Sequence, residues 1–244
     1  MRGRSSGLMS RHIFLTLSLL LAFPLTTFAQ KGVVDVNGQP TYQGREIAQT
    51  MHYAGAPWLI RESRQREEDC EKMLKNLGLK PGMTVCDMGC GNGFYSLKMA
   101  EMVGKEGKVL AVDIQPEMLR LLKARAEEEG IDNIELVLGD IDNPKLPEGK
   151  VDLILCVDVY HEFSHPVEML GHMRKSLKPD GVIALLEFRL EDPNVPIKLL
   201  HKMSKKQMNL EYESNGFEVV RQFDGLPWQH MVFYGKADKA AKPD

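Results

Sequence analysis

The 244-residue sequence has no excess of basic charge: 31 Lys and Arg face 34 Asp and Glu, a formal net charge of −3. Binding to a phosphate backbone calls for a cationic face, so no nucleic-acid partner is expected. A cysteine framework is missing as well. Cys70, Cys86, Cys90 and Cys156 show neither C-x-x-C nor zinc-ribbon spacing. Cys86 and Cys156 fall in apolar runs, where cysteine acts as a small hydrophobe, and no structural disulfide is expected. Nor does any apolar run reach the roughly 20 residues that a membrane-spanning helix needs. The run at 13–25 is broken by Thr16, Ser18 and Pro24. Internal repeats and low-complexity tracts are absent too.

What is present begins with a leader. Arg2, Arg4 and Arg11 precede the apolar run, and Thr27-Phe28-Ala29 places small residues three and one positions before a cut after Ala29. A basic start, a short apolar stretch and a small-x-small end describe an export signal. Residues 1–29 are read as that signal, with an uncleaved membrane anchor as the alternative. The mature chain is then expected outside the cytoplasm without a stable membrane span.

Residues 30–40 form a polar linker, and 42–77 read as mostly helical, interrupted at Gly55-Ala56-Pro57. Beyond Pro81-Gly82 short apolar runs alternate with amphipathic stretches. Strands are expected at 83–87, 108–113, 134–138, 151–157 and 182–188, and helices at 94–103, 116–129 and 166–177. Pro116 suits a first helical turn and Gly130 a stop. Ser204 with Gln207 opens a further helix that ends at Asn215-Gly216. Strands at 217–223 and 230–234 follow, joined as a hairpin. Continuous apolar strands separated by helices imply a doubly wound, mostly parallel α/β sheet with one antiparallel strand.

In such sheets ligands bind at the carboxyl ends of the strands, where strand order reverses. The first strand of the core ends Asp87-Met88-Gly89-Cys90-Gly91-Asn92-Gly93, directly before a helix. A dinucleotide loop of the form G-x-G-x-x-G would need glycine where Phe94 stands, and a phosphate-binding P-loop would need lysine followed by Ser or Thr. Neither fits. Asp87 would repel a pyrophosphate but attract a cationic ligand, such as an amino acid bearing a sulfonium. Asp113 ends the second strand, 24 residues after Gly89, where an acid accepts ribose hydroxyls. Asp140 follows the third strand, placed to accept from an adenine amine.

On these residues the sequence resembles the class I S-adenosylmethionine (SAM)-dependent methyltransferases, over about 74–236. The loop at 87–93 is similar to that family's first motif. Asp113, Asp140, Val157-Asp158-Val159 and the turn Leu177-Lys178-Pro179-Asp180-Gly181 are similar to its later ones, with Asp180 where glycine is common. The resemblance is nearest to bacterial small-molecule enzymes. It implies a seven-stranded Rossmann-like sheet with its last strand inserted antiparallel, and SAM as cofactor. The division that follows is 1–29 leader, 30–73 linker and helical cap, 74–236 methyltransferase domain and 237–244 tail. Candidate contacts to SAM are Asp87, Gly89, Cys90, Gly91, Gly93 and Tyr95 at the first loop, Asp113 with Ile114, Gly139 with Asp140 and Ile141, and Asp158.

The acceptor is expected over the fourth strand end, where Tyr160, His161 and Glu162 are the candidates to orient or deprotonate it. Histidine titrates nearest neutrality and leads the three. The string His161-Glu162-Phe163-Ser164-His165 also spells H-E-x-x-H. That zinc motif requires mid-helix placement, whereas here it follows a strand and precedes Pro166, so no metal is expected. Two segments should close over the substrate, one from Tyr42 to Trp58 and one from Glu187 to Lys202, the latter offering Arg189 or Lys202 as an anion clamp. Three functional readings stay open: transfer to a small molecule, transfer to a protein or peptide, and SAM binding without turnover.

Overall fold

A computed structural model describes residues 1, 33–34 and 38–237. The expected leader and tail therefore lie outside the described residues, apart from Met1 and Ala237. Three short strands come first: β1 (Val33–Val34), β2 (Pro40–Tyr42) and β3 (Arg45–Glu46). Three short helices follow: α1 (Ala56–Leu59), α2 (Arg64–Glu68) and α3 (Cys70–Leu77). The core then runs β4 (Thr84–Met88), α4 (Phe94–Val103), β5 (Lys108–Asp113), α5 (Pro116–Glu129), β6 (Ile134–Leu138) and β7 (Val151–Val157). It closes with α6 (Pro166–Ser176), β8 (Leu177–Arg189), β9 (Lys202–Met203), α7 (Lys205–Glu213), β10 (Phe217–Phe223) and β11 (Gln229–Lys236).

The main sheet has the order β10-β11-β8-β7-β4-β5-β6, with β9 added beside β8. β11 pairs antiparallel with both β8 and β10, while β4 to β8 pair in parallel. This is the expected fold class, with the last strand in chain order inserted antiparallel. Chain order reverses between β4 and β7, so a crevice opens at their carboxyl ends.

Both faces of the sheet are covered, which is why its strands lack polar alternation. Cys86, Ile154 and Ile183 point to a layer containing Met169, Met173, Met208 and Tyr212 from α6 and α7. Val85, Leu153 and Ala184, one residue away on each strand, point to α3 and α4. Leu119 and Leu122 of α5 join Ala111 and Leu97. All four cysteines are buried free thiols, and burial pushes those of Cys86 and Cys156 well up.

Three expectations are corrected. Residues 42–46 are not helical: β2 and β3 form a hairpin around Gln43 and Gly44, both with positive φ. The turn at 177–181 is absorbed into β8 as a register break, since Val151 pairs with Leu177 but Leu153 with Val182. The capping box is half-formed. Ser204 Oγ accepts from the Gln207 amide at 3.1 Å, but the Gln207 side chain turns away to Glu211 and the Gln43 carbonyl. Helix α3 runs across residues 73 and 74 and joins the N-terminal segment to the core.

One buried ion pair clips the hairpin to the core. The Arg45 guanidinium donates to both oxygens of Glu211 at 2.7 and 2.9 Å and to the His161 carbonyl at 3.0 Å. Glu211 is fully buried and also accepts from the Tyr160 hydroxyl. Removing one partner of a buried pair strands the other charge, at a cost of about 3–5 kcal/mol. Arg45→Ala should lose about that much in urea unfolding, whereas an Arg45→Met, Glu211→Leu double variant should recover part of it.

Candidate active site

A cavity of about 600 Å³ opens at the carboxyl ends of β4, β5, β7 and β8. Its floor is the glycine turn. Gly89 takes φ 68°, and a Cβ there would stand 2.3 Å from Val159 Cγ2, so only glycine fits between β4 and the end of β7. Gly93 serves a different purpose. A Cβ there would meet Leu122 Cδ1 at 2.1 Å, so this glycine admits α5 against the start of α4.

Asp113 ties the turn to β5. One carboxylate oxygen accepts from the Gly91 amide at 2.9 Å and the other from the Gln115 amide at 2.8 Å. Burial raises its pKa, against the pull of these backbone donors. Asp113, Gly89, Gly91, Ile114, Asp140, Ile141 and Asp158 all border the cavity. Ile114 and Ile141 are exposed apolar side chains at its rim, suited to the faces of a flat base. Asp158 has a left-handed backbone, φ 50°. One of its oxygens accepts from Gln229 at 2.7 Å, and the other is buried with no partner among the described residues. Burial, reinforced by Glu68 and Glu187, drives its pKa well above the usual carboxylate range.

Other expected contacts lie elsewhere. Asp87 is buried beneath the turn, accepting from Ser96 Oγ at 2.6 Å, and burial pushes its pKa up to about 6. Cys90 packs beside Ala111, and Gly139 packs by Val112. Tyr95 turns into the core, its hydroxyl 3.4 Å from both Glu68 and Cys70. None of these four, nor Gly93, borders the cavity.

Of the three residues expected at the acceptor end, two line the cavity. Residues 160–162 form a single 3-10 turn after β7. Tyr160 is wholly buried and donates to Glu211 at 2.8 Å, so it supports the site from behind and does not reach it. His161 and Glu162 do face the cavity. His161 Nδ1 lies 2.6 Å from Glu187 Oε2, and its amide donates to Glu187 Oε1 at 3.1 Å. Burial disfavours the imidazolium, but the Glu187 carboxylate outweighs it and holds the His161 pKa above its ordinary value. Burial pushes Glu162 up to about 7. His165 faces away, against Ser164.

The two closing segments are in place, with different residues in play. Thr50, Met51 and Trp58 border one side of the cavity, and Pro196, Ile197, Lys198 and His201 the other. Arg189 does not clamp a substrate, because it donates to the Leu226 and Pro227 carbonyls. Lys202 holds the Asp192 carbonyl at 3.1 Å. Sequence reasoning missed Arg64 and Glu68, an ion pair at 2.8 Å in the cavity wall. It also missed Glu187 and His201 as partners of His161. Glu187 carried a signal, as an acid inside an apolar strand run; His201 carried none.

The family model for a methyltransferase domain matches residues 79–233. A crystal structure of a SAM-dependent methyltransferase from Aquifex aeolicus is 30% identical, with a TM-score of 0.71 over 76% of this chain and 98% of that one. A nocamycin O-methyltransferase from Saccharothrix syringae is 32% identical over 47% of this chain and 41% of its own length. A demethylmenaquinone methyltransferase from Listeria welshimeri is 27% identical over 52% of each. The chain thus spans about half the length of these two relatives.

The cradle fits SAM: bare backbone at Gly89 and Gly91, acids at Asp113 and Asp140, and apolar rims. Because Asp113 also anchors the turn, Asp113→Ala should lower both SAM affinity and stability. A charge-assisted hydrogen bond contributes about 1.5–3 kcal/mol, so calorimetry should read a loss of affinity of tenfold or more; unchanged affinity would remove Asp113 from the site. The chain belongs to the methyltransferase-domain family, and SAM is the methyl donor that this membership implies.

Proposed function

We propose that the protein transfers the methyl group of SAM to a small-molecule acceptor with an apolar body and an ionisable reacting atom. The observation that carries this reading is the lining of the cavity. The same cavity takes in Gly89, Asp113 and Asp140 and, past Asp158, a further set of residues that we take as the acceptor chamber. Phe163, Met169, Phe188 and Ile197 form the apolar wall of that chamber, and His161, Glu162 and His201 its polar end. SAM supplies a methyl group already activated as a sulfonium. What the chain must add is alignment of the acceptor and exclusion of water. The cap segment carrying Met51 and Trp58 and the loop carrying Pro196 and Ile197 supply the exclusion; the polar trio orients the reacting atom.

A cavity of about 600 Å³ has the size of a small-molecule site, which favours a small acceptor over a protein segment. The names of two relatives, for nocamycin and for demethylmenaquinone, support the same class of acceptor. Among the described residues no helix is long and apolar enough to cross a membrane. The leader read at 1–29 supports the further proposal that the mature chain works outside the cytoplasm.

Purified protein offered labelled SAM and pools of small phenolic and enolic acceptors should release S-adenosylhomocysteine. Binding without turnover against all pools would favour a non-catalytic SAM-binding role. His161→Ala should cut turnover at least a hundredfold while SAM affinity stays within about twofold; equal loss of both would make His161 a structural residue.

A further inference from the structure

The H-E-x-x-H string fails as a helical zinc motif, yet its first two residues meet a third donor from elsewhere. His201, on the loop after β8, brings Nδ1 to 3.0 Å from His161 Nε2. Glu162 Oε1 lies 3.9 Å from that same Nε2. One donor atom from each of the three residues falls within 4.8 Å of the others, all at the cavity wall.

Two features point to a cation at their centre. The first is the backing of His161. Glu187, fully buried, holds Nδ1 at 2.6 Å and the backbone amide at 3.1 Å, which leaves Nε2 facing the cavity. A carboxylate behind an imidazole is the usual arrangement that orients a metal-binding histidine and raises its basicity. The second is charge. Among the described residues Glu162 and Glu187 have ion pairs only with His161, so one buried and one half-buried carboxylate share one imidazole. The two facing ring nitrogens can share a single proton. A tetrahedral ion with bonds of about 2.0–2.1 Å would set its ligands roughly 3.3 Å apart, close to the spacing already present.

We propose that His161 Nε2, Glu162 and His201 Nδ1 bind one divalent first-row transition cation, with an open position towards the acceptor chamber. Two imidazoles and a carboxylate form a donor set suited to zinc and its neighbours, and three protein ligands with one vacancy is the catalytic pattern. The cation's part is that of a Lewis acid. It lowers the pKa of an acceptor hydroxyl, so that the acceptor binds as its anion with the proton released to bulk solvent on binding, and it fixes that oxygen in line with the methyl group. This deepens the proposed transfer reaction and rests on it. It replaces the expectation of no metal, with His201 standing where the string offered His165.

The test is calorimetric titration of zinc into the full-length, chelator-stripped protein, with SAM affinity measured in parallel. Wild type should bind one zinc per chain. His201→Ala and Glu162→Gln should each weaken zinc at least tenfold with SAM affinity within twofold. Glu187→Gln, which acts through His161, should weaken zinc less, and exposed His165→Ala should leave it unchanged. No zinc uptake by wild type, or uptake undiminished in His201→Ala, would overturn the cation site while leaving SAM binding to stand. A wild type that binds zinc but not SAM would instead sink the transfer reading and keep the site.

Discussion

Carboxylates taken out of water must find positive charge or protons, and this chain buries several at one edge of its sheet. Glu68 is met by Arg64 and Glu211 by Arg45. Asp113 is met by two backbone amides, and Glu187 by the ring and amide of His161. Asp158 and Glu162 are left with less than they need, and both are held towards their neutral forms. The imbalance sits beside the cavity, not in the core. A cavity lined by more acids than cations is prepared for a ligand that carries its own positive charge, as a sulfonium with an ammonium does.

The fold places that imbalance without help from long-range flexibility. Parallel strands end together, so Met88, Asp113, Leu138 and Val157 finish at one edge, and the loops behind them share one crevice. β8 extends past that edge to Arg189, carrying Glu187 to the level of His161. β11, antiparallel beside it, contributes Gln229, which reaches Asp158 at 2.7 Å. The inserted strand therefore reinforces the acceptor side as well as closing the sheet.

The N-terminal segment shows how a site can be completed by residues outside the core. Arg45 bonds the His161 carbonyl, and the Ala48 amide donates to the same carbonyl at 3.1 Å. The Met51 amide faces Glu162, and Gln115 bridges to Met51 and Tyr53. The cap is thus fastened by hydrogen bonds to the residues it covers.

The sequence alone determined the alternation of strands and helices, because apolar runs of five to seven residues bounded by Gly and Pro permit little else once both sheet faces must be covered. The positions of β5, α4, α5, β6 and β7 were all legible in that way. It also determined the glycine turn and its acids, whose spacing is local and whose chemistry is tied to residue type. Tertiary structure decided which of those residues face the cavity. Asp87 and Tyr95 lie one turn too deep, and Tyr160 is drawn inwards by Glu211, since a side chain's direction depends on the packing of elements remote in sequence. It also decided the acceptor end. His201 reaches His161 across 40 residues of chain, and no local pattern encodes a pairing made by the path of a loop.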